Sequence, residues 1–254
     1  TTETQKAINQ WVREQTRDMI PEFLEKPLDG DAALLLLNAL YFKCSWERTF
    51  SSYDTQEREF TLDDGSVITV PTMTQTKNLR VAQLPDGGAA VVLSYVGTEV
   101  KFLAILPPVG MTAAAYVQQL TPETLEQCLA AEETYTALYL PRFSLETGGE
   151  LKETLQQMGL HLAFTMEADF SPMAESGADE LYIGSVLQKA KIRVGEKGTE
   201  AAAATAVEML VKGALRPNQQ EPLELRFDRS FLFAVVEPDS GMPLFSGIVA
   251  SPEE

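Results

Sequence analysis

One stretch constrains this chain more than any other: Val194-Gly195-Glu196-Lys197-Gly198-Thr199-Glu200-Ala201-Ala202-Ala203-Ala204-Thr205-Ala206-Val207-Glu208-Met209-Leu210. Its four consecutive alanines read by propensity as a helix. Yet the run follows an alternating apolar segment and opens on glycine. In an extended conformation its side chains would divide between two faces. One face carries Thr199, Ala201, Ala203, Thr205, Val207, Met209 and Val211, without a charge; the other carries Glu200, Ala202, Ala204, Ala206, Glu208 and Leu210. The uncharged set is small near the glycine, so it could slide between existing strands while both glutamates stay in water. A helix would instead put Glu200, Ala203, Ala204 and Val207 on one face, mixing charge with apolar groups. From the residues alone the helix leads, and a loop able to become a strand stays open.

The chain around this segment has 254 residues, 44% hydrophobic and 22% charged, which suits a globular protein of one or two domains with a sizeable core. No apolar run approaches the roughly 20 residues that cross a bilayer. The opening Thr1-Thr2-Glu3-Thr4-Gln5 is polar and carries no secretion signal. The net charge of −17 repels nucleic acid and anionic membranes, so neither is an expected partner. With no basic cluster, a glycosaminoglycan cofactor is not expected either. Two cysteines, Cys44 and Cys128, exclude a disulfide framework and leave a single bridge open. Cys44, inside Phe42-Lys43-Cys44-Ser45-Trp46, reads as a small buried residue.

Ile8, Trp11, Val12, Met19, Ile20 and Phe23 recur at helical spacing, with Pro21 near the stop. The run from Ala32 to Phe42 is too apolar for one exposed face and reads as a strand covered on both faces or as a buried helix. Asp64-Gly65 between short alternating stretches signals a hairpin. Val91–Leu93, Lys101–Leu106 and Leu138–Phe143 read as strands. Thr121-Pro122-Glu123 opens a helix with a hydroxyl cap and proline in the first turn. Leu151, Leu155 and Met158 share a helix face that Gly159 can end. Phe231–Val236 and Leu244–Val249 flank Pro238-Asp239-Ser240-Gly241 as a buried hairpin. Without a regular alternation of strand and helix, the expected class is α+β: mixed, mostly antiparallel sheets with surrounding helices. The stretch from Lys212 to Glu221 reads as a linker.

Catalytic chemistry is hard to assemble. The lone His161 sits between Leu160 and Leu162, just past a helix end, where a structural or surface role is expected rather than a triad or metal site. Neither glycine-rich phosphate signature is present. Acidic pairs such as Asp63-Asp64 and Glu132-Glu133 assign no acid and base. An enzyme, a metal site and a cofactor are therefore not expected.

The segment Gly195–Ala206 resembles the hinge of a serpin reactive loop, serpins being the serine protease inhibitor family. Leu37-Asn38-Ala39-Leu40-Tyr41-Phe42-Lys43-Cys44-Ser45-Trp46 is similar to that family's third central-sheet strand and the tryptophan beyond it. Val70-Pro71-Thr72-Met73, Leu140-Pro141-Arg142-Phe143, Ala168-Asp169-Phe170-Ser171 and Phe227–Val249 fit in family order. The resemblance covers about Ala7 to Pro252. It implies a single serpin domain lacking its N-terminal third, with an exposed reactive loop over about 196–222. Without that third, a sheet edge and a large apolar surface would lie open.

The implied activity is inhibition of a serine protease. The protease forms an acyl-enzyme with the loop, and the freed loop enters the central sheet and traps it. The hinge would be Glu196, Lys197, Gly198, Thr199, Glu200, Ala201, Ala202, Ala203, Ala204 and Thr205. The family places its hinge glycine fifteenth before the cut, which gives Lys212-Gly213 as the reactive bond and trypsin-like enzymes as targets. The loop is longer than in many relatives; Met209, Leu210 or Val211 would direct it to elastase- or chymotrypsin-like enzymes. Asn38 and Trp46 would control sheet opening with Gln188, which stands where many serpins have a histidine. The competing class is a non-inhibitory serpin acting as a carrier or chaperone, whose hinge would tolerate bulky or charged inward residues. Extracellular location is implied by the family alone.

Overall fold

A computed structural model describes residues 2–27, 34–173, 181–199 and 221–252. In chain order they form α1 (Thr2–Gln15), β1 (Leu34–Tyr41), β2 (Cys44–Ser45), β3 (Gln56–Thr61) and β4 (Val67–Gln83). Next come β5 (Ala89–Ser94), β6 (Lys101–Leu106), α2 (Ala113–Val117), α3 (Pro122–Leu129) and β7 (Glu133–Pro141). Then follow β8 (Phe143–Glu150), α4 (Lys152–Gln157), β9 (Ile183–Gly195), β10 (Gly198–Thr199), β11 (Leu223–Arg226), β12 (Phe231–Glu237) and β13 (Met242–Val249). The class is α+β with mixed sheets, as the sequence implies. Of the strand registers described, β1 with β9 and β11 with β7 are parallel and the rest antiparallel. The chain divides into two compact units, Thr1–Phe42 with Glu146–Ile192, and Lys43–Leu145 with Arg193–Glu254.

In the first unit α1 stops at Gln15, earlier than its apolar spacing suggests. Arg17 and Asp18 take φ of 52° and 64°, which ends the helical path. The hydroxyl of Thr16 donates to the Val12 carbonyl and accepts from the Ile20 N–H, closing the turn. Met19, Ile20 and Phe23 are therefore not helical, but they pack back with Val12 and Leu24 into a core cluster. Asn9 holds them there, its Oδ1 accepting from the N–H groups of Phe23 and Leu24 at 3.1 and 2.7 Å. Trp11, expected on the same face, is 54% exposed.

The leucine-rich run is a strand, but covered on one face rather than two. Alternation turns Leu37, Ala39 and Tyr41 toward the α1 cluster. Leu36 and Asn38 fall on the opposite face and are exposed. β1 pairs with β9 over its whole length, with Asn38 opposite Gln188. Farther along, Leu151 and Leu155 pack with Phe164, Ile183 and Val186. Met158 does not join them: α4 ends at Gln157, Gly159 turns the chain at φ 99°, and Met158 is left 78% exposed.

The second unit is built on an antiparallel meander in which β4, β5, β6, β12 and β13 are successive neighbours. The Asp64-Gly65 hairpin joins β3 to β4; Gly65 has φ 85° and Asp64 Oδ1 accepts from the Ser66 N–H at 2.9 Å. Thr121 caps α3 by accepting from the Thr124 N–H, with Pro122 in the first turn. The C-terminal hairpin β12–β13 forms as expected. Cys128 is fully buried, whereas Cys44 is only half-buried, and both are free thiols, so no bridge joins them.

Candidate functional site

β9 ends at Gly195, Glu196 and Lys197 make a turn, and β10 comes back antiparallel, pairing Gly198 with Gly195 and Thr199 with Val194. On its other side β10 pairs with β2, Gly198 with Ser45 and Thr199 with Cys44. Those two residues are thus flanked by backbone on both sides. Gly198 has φ 153°, and a Cβ there would lie 2.1 Å from the Cys44 carbonyl oxygen and 2.7 Å from Ser45 Cα. Only glycine fits so close an approach.

Thr199, the first residue of the uncharged alternating set, has no exposed surface. Its hydroxyl lies 2.5 Å from the Tyr95 hydroxyl. Burial pushes the Tyr95 phenol far above its ordinary range, so it stays protonated and able to donate. Trp46 stacks on Tyr95 with centroids 4.6 Å apart and meets the edge of Phe102 at 5.4 Å. Its ring N–H donates to the Gly195 carbonyl at 2.8 Å, and its backbone N–H donates to the Lys197 carbonyl at 2.9 Å. One buried tryptophan therefore grips both ends of the turn.

Glu196 is fixed through backbone and side chain alike. Its carbonyl accepts from the Phe50 N–H at 2.9 Å, and Oε1 accepts from the Thr55 hydroxyl at 2.8 Å. The same oxygen lies 3.5 Å from Arg142 Nη1, with the two side chains 16% and 33% exposed. Replacing Glu196 by alanine removes the acceptor of the Thr55 hydroxyl and one ion-pair partner of Arg142. The expected cost is about 1–3 kcal/mol, read as a lowered urea midpoint with an unchanged slope.

Of the residues singled out from sequence, Trp46, Glu196, Lys197, Gly198 and Thr199 come together here. Asn38 and Gln188 face each other across the β1–β9 ladder. Among the described residues no hydrogen bond joins their amides; Asn38 lies on the open face, where water can satisfy it. Glu200, Ala201, Ala202, Ala203, Ala204, Thr205, Lys212 and Gly213 lie outside the described residues, as does the linker read over Lys212 to Glu221 apart from its last residue. Tyr95, Thr55 and Arg142 were not singled out for the hinge. Nothing local in the sequence links them to positions some 50 to 140 residues away, although Arg142 sits in the Leu-Pro-Arg-Phe motif.

The family model described as serpin (serine protease inhibitor) matches residues 1–252. The chain belongs to the serpin family. It is 34% identical over 251 residues to antithrombin-III of Mus musculus, covering 96% of this chain and 52% of that protein. It is 35% identical over 253 residues to alaserpin of Manduca sexta, covering 97% and 62%. This serpin chain thus spans about half to two-thirds of the length of such relatives. The native structure of the thermophilic serpin tengpin superposes with a TM-score of 0.82 at 30% identity, over 99% of this chain and 64% of that one. Human thyroxine-binding globulin complexed with its ligand gives 0.85 at 26% identity, over 100% and 65%.

Proposed function

We propose that the whole protein inhibits serine proteases as a suicide substrate, and that its trap is the insertion of residues 199–212 between β1 and β9. The observation that carries this reading is that Gly198 and Thr199 of the hinge have strand partners on both sides and are buried, Thr199 completely. A chain continuing from Thr199 along β9 would run antiparallel to both β9 and β1. Insertion would exchange one parallel ladder for two antiparallel ones, which are somewhat the stronger kind. About 14 inserted residues span roughly 45 Å at ~3.3 Å each, enough to carry an attached protease far from where it docked. Each added hydrogen bond contributes roughly 0.5–1.5 kcal/mol net, so the strand as a whole releases on the order of 10 kcal/mol. That is comparable with the ~5–15 kcal/mol stabilising a domain. Distorting the trapped enzyme so that it loses an oxyanion-hole donor slows deacylation by about 10²–10³.

Lys212-Gly213 is the assigned reactive bond. A lysine there suits an enzyme whose specificity pocket carries a carboxylate, hence trypsin-like targets, with elastase- or chymotrypsin-like enzymes if the bond lies at Met209, Leu210 or Val211. Arg216 is disfavoured because Pro217 follows it. Asn38, Trp46 and Gln188 are assigned to control of sheet opening. The open apolar face around Leu36 calls for a covering layer, which we assign to a further segment of the whole serpin. Extracellular action rests on the family alone.

The test is incubation of the full-length protein with trypsin. An SDS-stable adduct, with the first released peptide beginning at Gly213, is expected. Clean hydrolysis without adduct would reject inhibition, and a first cut elsewhere would reject the bond. The likeness to thyroxine-binding globulin favours one second reading, a carrier, which predicts the adduct-free outcome.

A further inference from the structure

The second unit holds a cavity that the inhibitory reading does not use. It lies among β4, β5, the segment after Trp46, and Glu133, and has a volume of about 50 Å³. Gln75 lines it and is 7% exposed, yet both Oε1 and Nε2 of its amide are buried without a partner. A buried donor and acceptor left unpaired are costly and call for an occupant. Beside them stand two acids and two bases, Glu47, Glu133, Arg48 and Arg80. Arg48 is committed: it donates to the Asn78 carbonyl at 2.5 Å and lies 3.5 Å from Glu133. Glu47 and Arg80 make no ion pair among the described residues and leave one anion and one cation at the same cavity.

We propose that this cavity binds a free amino acid bearing a primary amide, of the glutamine and asparagine class. A carboxamide returns to Gln75 an acceptor for Nε2 and a donor for Oε1. A carboxylate brings acceptors alone, and an ammonium donors alone, so either leaves one amide atom unpaired. The enclosed volume accommodates a few water-sized atoms, roughly the carbon, oxygen and nitrogen of one such group. The ligand's ammonium and carboxylate then answer Glu47 and Arg80. The balanced charge of the lining disfavours a ligand with net charge, which separates glutamine from glutamate.

Occupancy has a built-in reporter. Glu47 and Ser94 of the lining are joined by a 2.9 Å backbone hydrogen bond, and their chain neighbours Trp46 and Tyr95 are the stacked pair. Titrating full-length protein with L-glutamine through the millimolar range is expected to give a saturable change in tryptophan fluorescence and a saturable heat. L-glutamate is expected to bind roughly tenfold more weakly or worse, because it leaves a buried polar atom unpaired. Gln75→Met, apolar and of similar length, should abolish the response while leaving the melting temperature unchanged or higher. The proposal is overturned if glutamine gives no saturable response, so that the cavity holds water only, or if glutamate binds as well. It also fails if Gln75→Met retains binding. The comparison of the two amino acids decides the matter on unsubstituted protein should that variant not fold.

Discussion

Cutting the full-length protein once within residues 209–216 raises its melting temperature by roughly 10–20 °C. Most nicks do the opposite, because a broken chain gains conformational freedom when it unfolds. Here the cut frees a segment whose start is already seated: Gly198 and Thr199 have strand partners on both sides, and Thr199 is fully buried. If the segment extends, Ala201, Ala203, Thr205 and Val207 would share one face and Glu200, Ala202, Ala204, Ala206 and Glu208 the other. Each residue that follows Thr199 into the sheet adds backbone hydrogen bonds without burying a charge. With on the order of 10 kcal/mol released, and about 1–2 °C per kcal/mol for a protein longer than the 254 residues here, the rise is about 10–20 °C. Differential scanning calorimetry of intact and nicked protein reads it directly.

On the proposed inhibitory reading, Thr199→Arg turns the full-length protein from an inhibitor into a substrate. The Thr199 side chain has no exposed surface and bonds Tyr95 beneath the Trp46 ring system. Among the described residues the side-chain partner of Thr199 is the neutral Tyr95 phenol, and burying an unpaired guanidinium there costs on the order of 3–5 kcal/mol. β10 is two residues long, so the intact protein escapes this cost by releasing the hinge and keeps its fold. The cleaved loop cannot escape, since it must pass position 199 into the sheet before any later residue. Loop cleavage by trypsin therefore persists, the SDS-stable adduct falls at least about tenfold, and the thermal gain on nicking shrinks accordingly. An adduct yield equal to that of the unsubstituted protein would place the trap elsewhere than in strand insertion.

Much of this was legible in the sequence where the cause is local. The Asp64-Gly65 turn, the Thr121 cap and the C-terminal hairpin each follow from a few adjacent residues, and each formed as read. Of the alternating uncharged face only Thr199 falls among the described residues, where it is buried. Failures came where burial depends on distant layers. Helical spacing carried the first helix through Met19 and Phe23, whereas a turn at Arg17-Asp18 folds those same apolar residues back onto Val12. Periodicity reports that a residue wants cover, and a turn can supply that cover as well as a helix. The four leucines of β1 implied burial on both faces, and Leu36 instead lies open. Glycine 198 was flagged as a hinge, but the reason only glycine fits, the carbonyl of Cys44, comes from a strand over 150 positions earlier. The same holds for the Thr55 and Arg142 grip on Glu196.

The most direct test is the distance between the Asn38 and Gln188 Cα atoms in a crystal structure of the cleaved full-length protein. These residues are now ladder partners, one strand spacing of about 4.8 Å apart. If the freed segment enters between β1 and β9, that separation becomes about two spacings, near 10 Å, with residues from 200 onward lying between them. A cleaved molecule in which Asn38 still pairs with Gln188 would contradict the account.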